Sequence, residues 1–171
     1  TGGVGIISLM LLNKLGFNVS AITGKMDQAD LLYNLGAKKI IDRNDLDTEL
    51  ISPLQKPIYV GGIDAVGGRI LSNLICSTHQ RAAIACCGMV GGLSIDTSIF
   101  PFILRGLSLF GVDSAESLLS VKEEVWENFS SSWKLESIDE NIKNISLDEL
   151  PEEIEKILKG EQIGRVRIEY D

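Results

Sequence analysis

The sequence opens on a glycine-rich turn that runs directly into an apolar segment. Thr1-Gly2-Gly3-Val4-Gly5 leads into residues 6–12, and no charged side chain occurs before Lys14. Glycines at the start of a helix let the backbone approach a phosphate, and the free N–H groups there face the anion. The same Gly-x-x-Gly spacing also occurs in ordinary tight turns. We interpret it as the second half of a dinucleotide-binding turn. One glycine would admit the pyrophosphate and the other would let the helix pack closely on a strand. That strand does not precede Thr1, so we expect the chain to be a fragment.

Strand-like and helix-like segments alternate after this turn. The patterns predict strands over 18–23, 39–42, 58–66, 81–87, 107–112 and 165–170. They predict helices over 4–15, 26–35, 44–51, 69–77, 120–133 and 146–159, with a further short helix before Pro101 and a polar segment over 138–145. This rhythm indicates an α/β fold: a Rossmann-type, doubly wound parallel sheet with helices on both faces.

Charge and cysteine content exclude several functions. The net charge of −8 comes entirely from residues 116–171, which indicates solvated acidic helix faces, and no basic stripe suits nucleic acid. No apolar run reaches the ~18 residues of a membrane span. Cys76, Cys86 and Cys87, with His79, do not form a metal signature. We expect no metal and reduced thiols in a cytoplasmic protein.

Several stretches together resemble one family. They are Thr-Gly-Gly-Val-Gly (1–5), Ala-Ile-Thr-Gly-Lys (21–25), Leu-Gly-Ala (35–37), Ile-Asp-Ala-Val-Gly-Gly (63–68), Cys-Gly-Met-Val-Gly-Gly (87–92), Pro-Phe-Ile-Leu-Arg-Gly (101–106), Gly-Val-Asp-Ser (111–114) and Gly-Arg-Val (164–166). The chain resembles the zinc-independent medium-chain dehydrogenases and reductases, in the branch of acryloyl-CoA reductases and YhdH-type quinone oxidoreductases.

The resemblance implies a division of the chain. Residues 1–135 would form the NADP-binding Rossmann domain, truncated at its start. Residues 136–171 would belong to a GroES-like catalytic domain whose main part is missing. The final helix and the strand over 165–170 would return to that domain.

The end of the second strand indicates which cofactor binds. An acid at this position holds the ribose 2′-hydroxyl in NAD enzymes, but this chain has Thr23-Gly24-Lys25. A lysine ammonium attracts a 2′-phosphate, and the Thr23 hydroxyl would add a donor. Asp27, the nearest acid, is better placed as the N-cap of the next helix. The residues thus support NADP(H), as the resemblance implies, although Lys25 could also be a solvated surface lysine.

The resemblance assigns further cofactor contacts. The nicotinamide half would lie near Cys87, Gly88 and Met89, and near Gly111, Asp113 and Ser114. Arg165 would reach the cofactor or the substrate, unless it is only a surface charge of its strand.

Two other arginines leave alternatives. Arg43 could reach the adenine or the phosphate. Arg105 could bind a CoA phosphate or cap the C-terminus of a preceding helix, and we favour the cap.

The resemblance implies hydride transfer from NADPH to an activated carbon–carbon double bond in a small-molecule substrate, an enoyl thioester or an enone. The catalytic residues would lie in the missing domain, so none is named in this chain. A non-catalytic nucleotide-sensing module of the same fold is the alternative. The apolar strand over 107–112 would form a sheet edge through which two copies pair as a homodimer.

Overall fold

The computed structural model describes residues 1–50 and 52–170. Its helices are α1 (Gly3–Lys14), α2 (Ala29–Asn34), α3 (Gly68–Cys76), α4 (Phe100–Arg105), α5 (Leu119–Ser130) and α6 (Leu150–Leu158). Its strands are β1 (Ser20–Thr23), β2 (Lys39–Asp42), β3 (Gly62–Asp64), β4 (Ala83–Cys86), β5 (Ser108–Gly111), β6 (Ile142–Ile145) and β7 (Arg165–Ile168). The described chain is therefore α/β, as the sequence predicts.

The chain divides into two compact units. The first contains Thr1–Ile40 and Leu119–Asp171, and the second contains Ile41–Leu118. This division differs from the boundary at residue 135, which followed from the family resemblance and concerned membership of a catalytic domain. That membership stays a prediction.

The first unit begins with α1, whose ends are set by glycines. Gly16 closes the helix with φ +86°, the left-handed conformation that glycine adopts without strain. The N–H of Gly16 donates to the carbonyl of Asn13 and that of Phe17 donates to Leu12, the two hydrogen bonds of a Schellman motif. The helix therefore ends where the sequence places its C-cap.

Two apolar clusters hold the first unit together. Ile6 and Met10 of α1 pack with Leu135, and Leu9 on another side of α1 packs with Leu32 and Ala37. The helix is thus covered on more than one face, which explains why its apolar residues show no single stripe. β1 and β2 pair beside it as a two-stranded sheet.

The C-terminal part of the first unit has an ordered start to its last helix. Ser146 and Glu149 form the predicted reciprocal capping box, in which the Glu149 carboxylate accepts from the Ser146 N–H at 2.9 Å. β6 and β7 pair in parallel from Ile142↔Arg165 to Ile145↔Ile168. The segment over 138–145, which the sequence marks only as polar, thus contains a strand, and the final strand has a partner within this chain.

The second unit is built on a parallel three-stranded sheet in the order β3-β4-β5. Gly62 pairs with Ile84 and Cys86 pairs with Gly111, so the carboxyl ends of all three strands lie along one edge. Leu74 and Ile75 of α3 pack on Ile84 of the central strand. Ile75 and Ile84 are both fully buried, and each contributes roughly 1.5–3 kcal/mol by leaving water.

Two helix predictions in the second unit are wrong. Residues 44–50 form one 3₁₀ turn, Arg43–Asp45, and then a loop, while residue 51 lies outside the described residues. The Asn73 side-chain amide donates to the carbonyls of Leu46 and Thr48, so a tertiary contact satisfies groups that a helix would have paired. Pro101 does not follow a short helix but stands in the first turn of one, α4, where its missing N–H has no cost.

Candidate functional site

The glycine turn at the start of α1 is open and uncharged in the first unit. Gly2 is extended, at φ −78° and ψ 169°, and forms the N-cap of α1. No acidic side chain lies in the first turn. No described atom lies within 4 Å of the Cβ position of Gly2 or Gly5. The turn thus leaves room beside Gly2 and Gly5, and the chemistry of helix-start N–H groups suits a phosphate.

Close packing in the opening turn is found at Gly3. A Cβ on Gly3 would lie 3.1 Å from Cγ and 3.3 Å from Nε of Arg165. Because Gly3 has no side chain, the Arg165 side chain can lie against it. This places a cation beside the positive end of α1.

Backbone pairing fixes Arg165 at this position. Gly164 forms an isolated parallel bridge with Gly2, and its N–H donates to the carbonyl of Thr1 at 3.0 Å. β7 begins at the next residue, Arg165. The start of the last strand is thus attached to the start of the first helix.

Lys25 lies close to the same turn. Its ammonium group donates to the main-chain carbonyl of Gln162 at 2.6 Å, two residues before Gly164. The first unit therefore brings together the opening glycines, Lys25 and Arg165, a combination able to bind a phosphorylated ligand.

Thr23 and Asp27 flank Lys25 in different roles. The Thr23 hydroxyl oxygen is buried and accepts from the Lys25 N–H at 3.0 Å, which shapes the turn after β1 at Gly24. Asp27 lies within the 3₁₀ turn Met26–Gln28 and accepts from the Gln28 side chain, while α2 has Gln28 as its N-cap. The assignment of Asp27 as that N-cap is therefore wrong.

The second unit has its own glycine-rich junction after β3. The Asp64 carboxylate is buried and accepts from the Gly67 N–H at 2.9 Å. Burial raises the pKa of Asp64, and the backbone hydrogen bonds that it accepts oppose this effect. Gly67 and Gly68 have φ +77° and +61°, so this turn into α3 requires glycine.

The loop after β4 packs against that junction without room for side chains. A Cβ on Gly88 would collide with the carbonyl of Ala65, and the Gly91 N–H donates to Val66 at 2.8 Å. Gly92 bridges to Gly67. The two loops at the carboxyl edge of the sheet thus support each other through their backbones.

The other predicted contacts of the second unit fall at or near this edge. Cys87 and Met89 are exposed just after β4, and Gly111 ends β5 with exposed Asp113 and Ser114 beyond it. Although Cys87 is exposed as a residue, partial desolvation of its thiol, followed by the neighbouring Asp64 and Cys86, raises its pKa, which does not favour a thiolate nucleophile.

The Asp113 carboxylate accepts from the Glu116 N–H at 3.2 Å, which turns the chain after β5. Arg43 is exposed in the 3₁₀ turn after β2, and its side chain has no described contact that ties it to the edge.

Arg105 caps a helix C-terminus, as the sequence favoured, but the helix is α3 and not a short helix directly before Pro101. Its guanidinium donates to the carbonyl of Cys76 at 2.7 Å, to that of Thr78 at 2.8 Å and to that of Gln55. These carbonyls include the C-terminal end of α3, where a cation is favourable. The donors of Arg105 are therefore largely used within the second unit.

Two features were missed from the sequence. A cavity of about 540 Å³ lies beside the start of α3, lined by Thr48, Arg69, Ser72 and Asp96 among others. Gln162 contacts Lys25 although 137 positions separate them, so no local sequence pattern predicts the contact.

A comparison with protein-family models decides the family. The model described as zinc-binding dehydrogenase matches residues 3–131, well over half of the chain. The chain belongs to the zinc-binding dehydrogenase family. Within residues 1–50 and 52–170, no group of three or more His, Cys, Asp and Glu side chains could hold a metal ion. None of the helices in these ranges has the length and apolar character needed to cross a bilayer.

Relatives from this family align with nearly the whole chain. Acrylyl-CoA reductase AcuI of Ruegeria pomeroyi is 33% identical over 99% of the chain and 52% of its own length. YhfP of Bacillus subtilis (strain 168) is 38% identical over 97% of the chain and 51% of its own length. The family resemblance seen in the sequence is confirmed, and the chain spans about half the length of these curated relatives.

Solved structures agree in fold. The crystal structure of YhdH from Escherichia coli K-12 with bound NADPH superposes with a TM-score of 0.93 at 32% identity, covering 99% of this chain and 52% of that one. The structure of YhfP from Bacillus subtilis with NAD bound gives 0.93 at 36% identity, covering 98% and 51%. The Rossmann-type α/β prediction is therefore confirmed.

Proposed function

We propose that this chain is the cofactor-binding part of an NADPH-dependent oxidoreductase that reduces an activated carbon–carbon double bond. In the first unit, the proposed cofactor-binding residues are Gly2, Gly3, Val4, Gly5, Thr23, Gly24, Lys25 and Arg165. In the second unit, they are Arg43, Cys87, Gly88, Met89, Gly111, Asp113 and Ser114. The NADPH bound to YhdH supports the cofactor, and the similarity to the acrylyl-CoA reductase AcuI supports the substrate class.

The observation that carries this proposal is the position of Lys25. Its ammonium lies 2.6 Å from the Gln162 carbonyl, in a segment that is itself paired with Thr1 and Gly2. A cation at the end of β1 and an open helix N-terminus in the same unit suit the 2′-phosphate and the pyrophosphate of one ligand. An acid at the Lys25 position would repel the 2′-phosphate.

The chain's own residues would bind and orient the cofactor. When bound, the nicotinamide supplies the hydride for the β-carbon of an enoyl thioester or enone. The backbone N–H groups of the α1 turn would hold the pyrophosphate, with Arg165 as an added cation. In the second unit, the loops after β4 and β5 would lie next to the nicotinamide half. Groups that stabilise charge on the substrate are not assigned within this chain.

A titration with NADPH and NADH tests the proposal. We expect NADPH to bind at least about tenfold more tightly, because the 2′-phosphate adds a charge-assisted contact to Lys25. Lys25→Asp should reverse the preference, whereas Lys14→Asp, at the far end of α1, should leave it unchanged. Equal affinity for the two nucleotides, or no binding, would contradict the Lys25 assignment. Binding of NADPH without reduction of any enone or enoyl thioester by the full-length protein would favour a sensing module.

We also propose that two copies pair through the strand over 107–112. Within the second unit β5 lies at the end of the sheet order, and Phe110 and Val112 are exposed there. Size-exclusion chromatography with light scattering should give twice the chain mass, and Phe110→Lys should give a monomer. A monomeric wild-type protein would refute this pairing.

A further inference from the structure

We propose that Gln162 determines how strongly the site prefers a 2′-phosphorylated nucleotide, an inference that rests on the proposed cofactor function. The residue lies between α6 and β7, outside the opening glycine turn and the strand ends from which cofactor contacts were predicted. Its main-chain carbonyl accepts a hydrogen bond from the Lys25 ammonium at 2.6 Å. The cation assigned to the 2′-phosphate is therefore already bound by an acceptor that belongs to the protein.

The position of Gln162 is fixed by contacts of its own side chain and of the residues that follow it. Two residues later, the Gly164 N–H donates to the Thr1 carbonyl, and Gly164 bridges to Gly2. The Gln162 side-chain amide donates to the carbonyl of Ile163 at 3.0 Å. The carbonyl that faces Lys25 thus lies on a segment that is attached to the start of α1.

The side chain of Gln162 adds a second observation. Its carboxamide oxygen, Oε1, is buried and has no hydrogen-bond partner among the described residues. Buried acceptors of this kind are normally paired, so a donor from a ligand would complete it. A ribose hydroxyl is such a donor, and NADH carries one at the 2′ position where NADPH carries the phosphate. The same residue therefore offers a carbonyl to Lys25 and an acceptor to an unphosphorylated ribose.

These two contacts act in the same direction. The carbonyl partly satisfies Lys25 without a phosphate, which reduces what the phosphate gains on binding. The unpaired Oε1 would accept a hydrogen bond from the 2′-hydroxyl of NADH, which partly replaces the contact that the phosphate makes in NADPH. Gln162 would thus moderate the preference that Lys25 creates, and a charge placed on its side chain would change that preference with a definite sign.

Opposite charges at this position provide the experiment. Dissociation constants of NADPH and NADH are measured for the full-length protein and for Gln162→Glu and Gln162→Lys. We expect Gln162→Glu to lower the NADPH preference by about tenfold and Gln162→Lys to raise it by a similar factor. Glu161→Gln, an exposed neighbour, is the control and should change the ratio less than twofold. Circular dichroism melting checks that each variant folds. If only one variant folds, it still shows whether the NADPH preference changes in the expected direction.

The outcomes separate this inference from the function on which it rests. If Lys25→Asp abolishes the preference but neither charge at 162 alters the ratio, the inference about Gln162 is wrong and the proposed cofactor function stands. If both variants weaken the binding of NADPH and of NADH by the same factor, Gln162 has only a structural role and the inference is again wrong. If the wild-type protein shows no preference and Lys25→Asp changes nothing, the proposed function fails and this inference fails with it.

Discussion

The Asp64 carboxylate accepts a hydrogen bond from the Gly67 N–H across the turn that joins β3 to α3, at 2.9 Å. This contact fixes two glycines in left-handed conformations at the carboxyl edge of the three-stranded sheet. It also places an acid in a buried position, where its charge state affects stability.

We predict that Asp64→Asn changes the pH dependence of unfolding. Burial raises the pKa of Asp64, so the native state holds its proton more tightly than the unfolded chain does. The stability from this proton is complete below the usual carboxyl pKa of about 4 and is lost as pH rises through the raised pKa. Asn cannot ionise and keeps an oxygen acceptor. In urea unfolding, the variant should gain on the wild type as pH rises above about 4. A difference that is constant with pH would contradict this account.

Glu153 should give the opposite pH dependence. Its buried carboxylate accepts from Lys143 at 2.7 Å and from Lys156 at 2.6 Å, and these hydrogen bonds lower its pKa. The stability that it contributes is present above the usual carboxyl pKa and is lost as pH falls through the lowered value. Glu153→Gln should destabilise the protein at pH 7 and have little effect in strong acid. Glu155→Gln, which breaks an exposed pair with Lys159, is the matched control and should have a small effect at both pH values.

The glycines at the start of α1 should respond differently to alanine. A methyl group at Gly5 meets no described atom within 4 Å, so Gly5→Ala should stabilise the helix by roughly 0.5–1 kcal/mol. At Gly3 the methyl would press on the Arg165 side chain, which must move. Gly3→Ala should therefore be less stabilising than Gly5→Ala in thermal unfolding. Equal gains for the two variants would show that Arg165 does not lie against Gly3.

Arg105 should be difficult to replace. Its guanidinium binds three carbonyls at once, and a lysine ammonium cannot reproduce this planar arrangement. Hydrogen bonds to a charged group contribute about 1.5–3 kcal/mol each, so Arg105→Lys should lower the free energy of unfolding by about 2 kcal/mol or more. Arg69→Lys is the control, because Arg69 is exposed and its ion pair with Asp47 spans 3.9 Å. That variant should stay within about 0.5 kcal/mol of wild type.

Local patterns predicted those parts of the fold that local chemistry decides. Gly16 ends α1, Ser146 and Glu149 begin the segment that leads into α6, and the apolar run over 107–112 contains β5. In each case the residues that determine the element lie within or beside it.

Two differences from the predicted elements share a physical cause, which is contact with residues distant in sequence. Asn73 satisfies carbonyls of the loop after Arg43, so the helix expected over 44–51 does not form. β6 has only two apolar positions in its four residues and depends on pairing with β7. For the candidate site, the glycines and Lys25 could be identified from the sequence, whereas Gln162 could not, because its contact with Lys25 joins opposite parts of the chain.

The attachment of Gly164 to Thr1 and Gly2 affects the order of events during synthesis. The first turn of α1 leaves the ribosome well before its backbone partner Gly164 is made. Long-range contacts of this kind form late, after intervening segments have folded. The opening glycines therefore lack this partner until Gly164 has been synthesised.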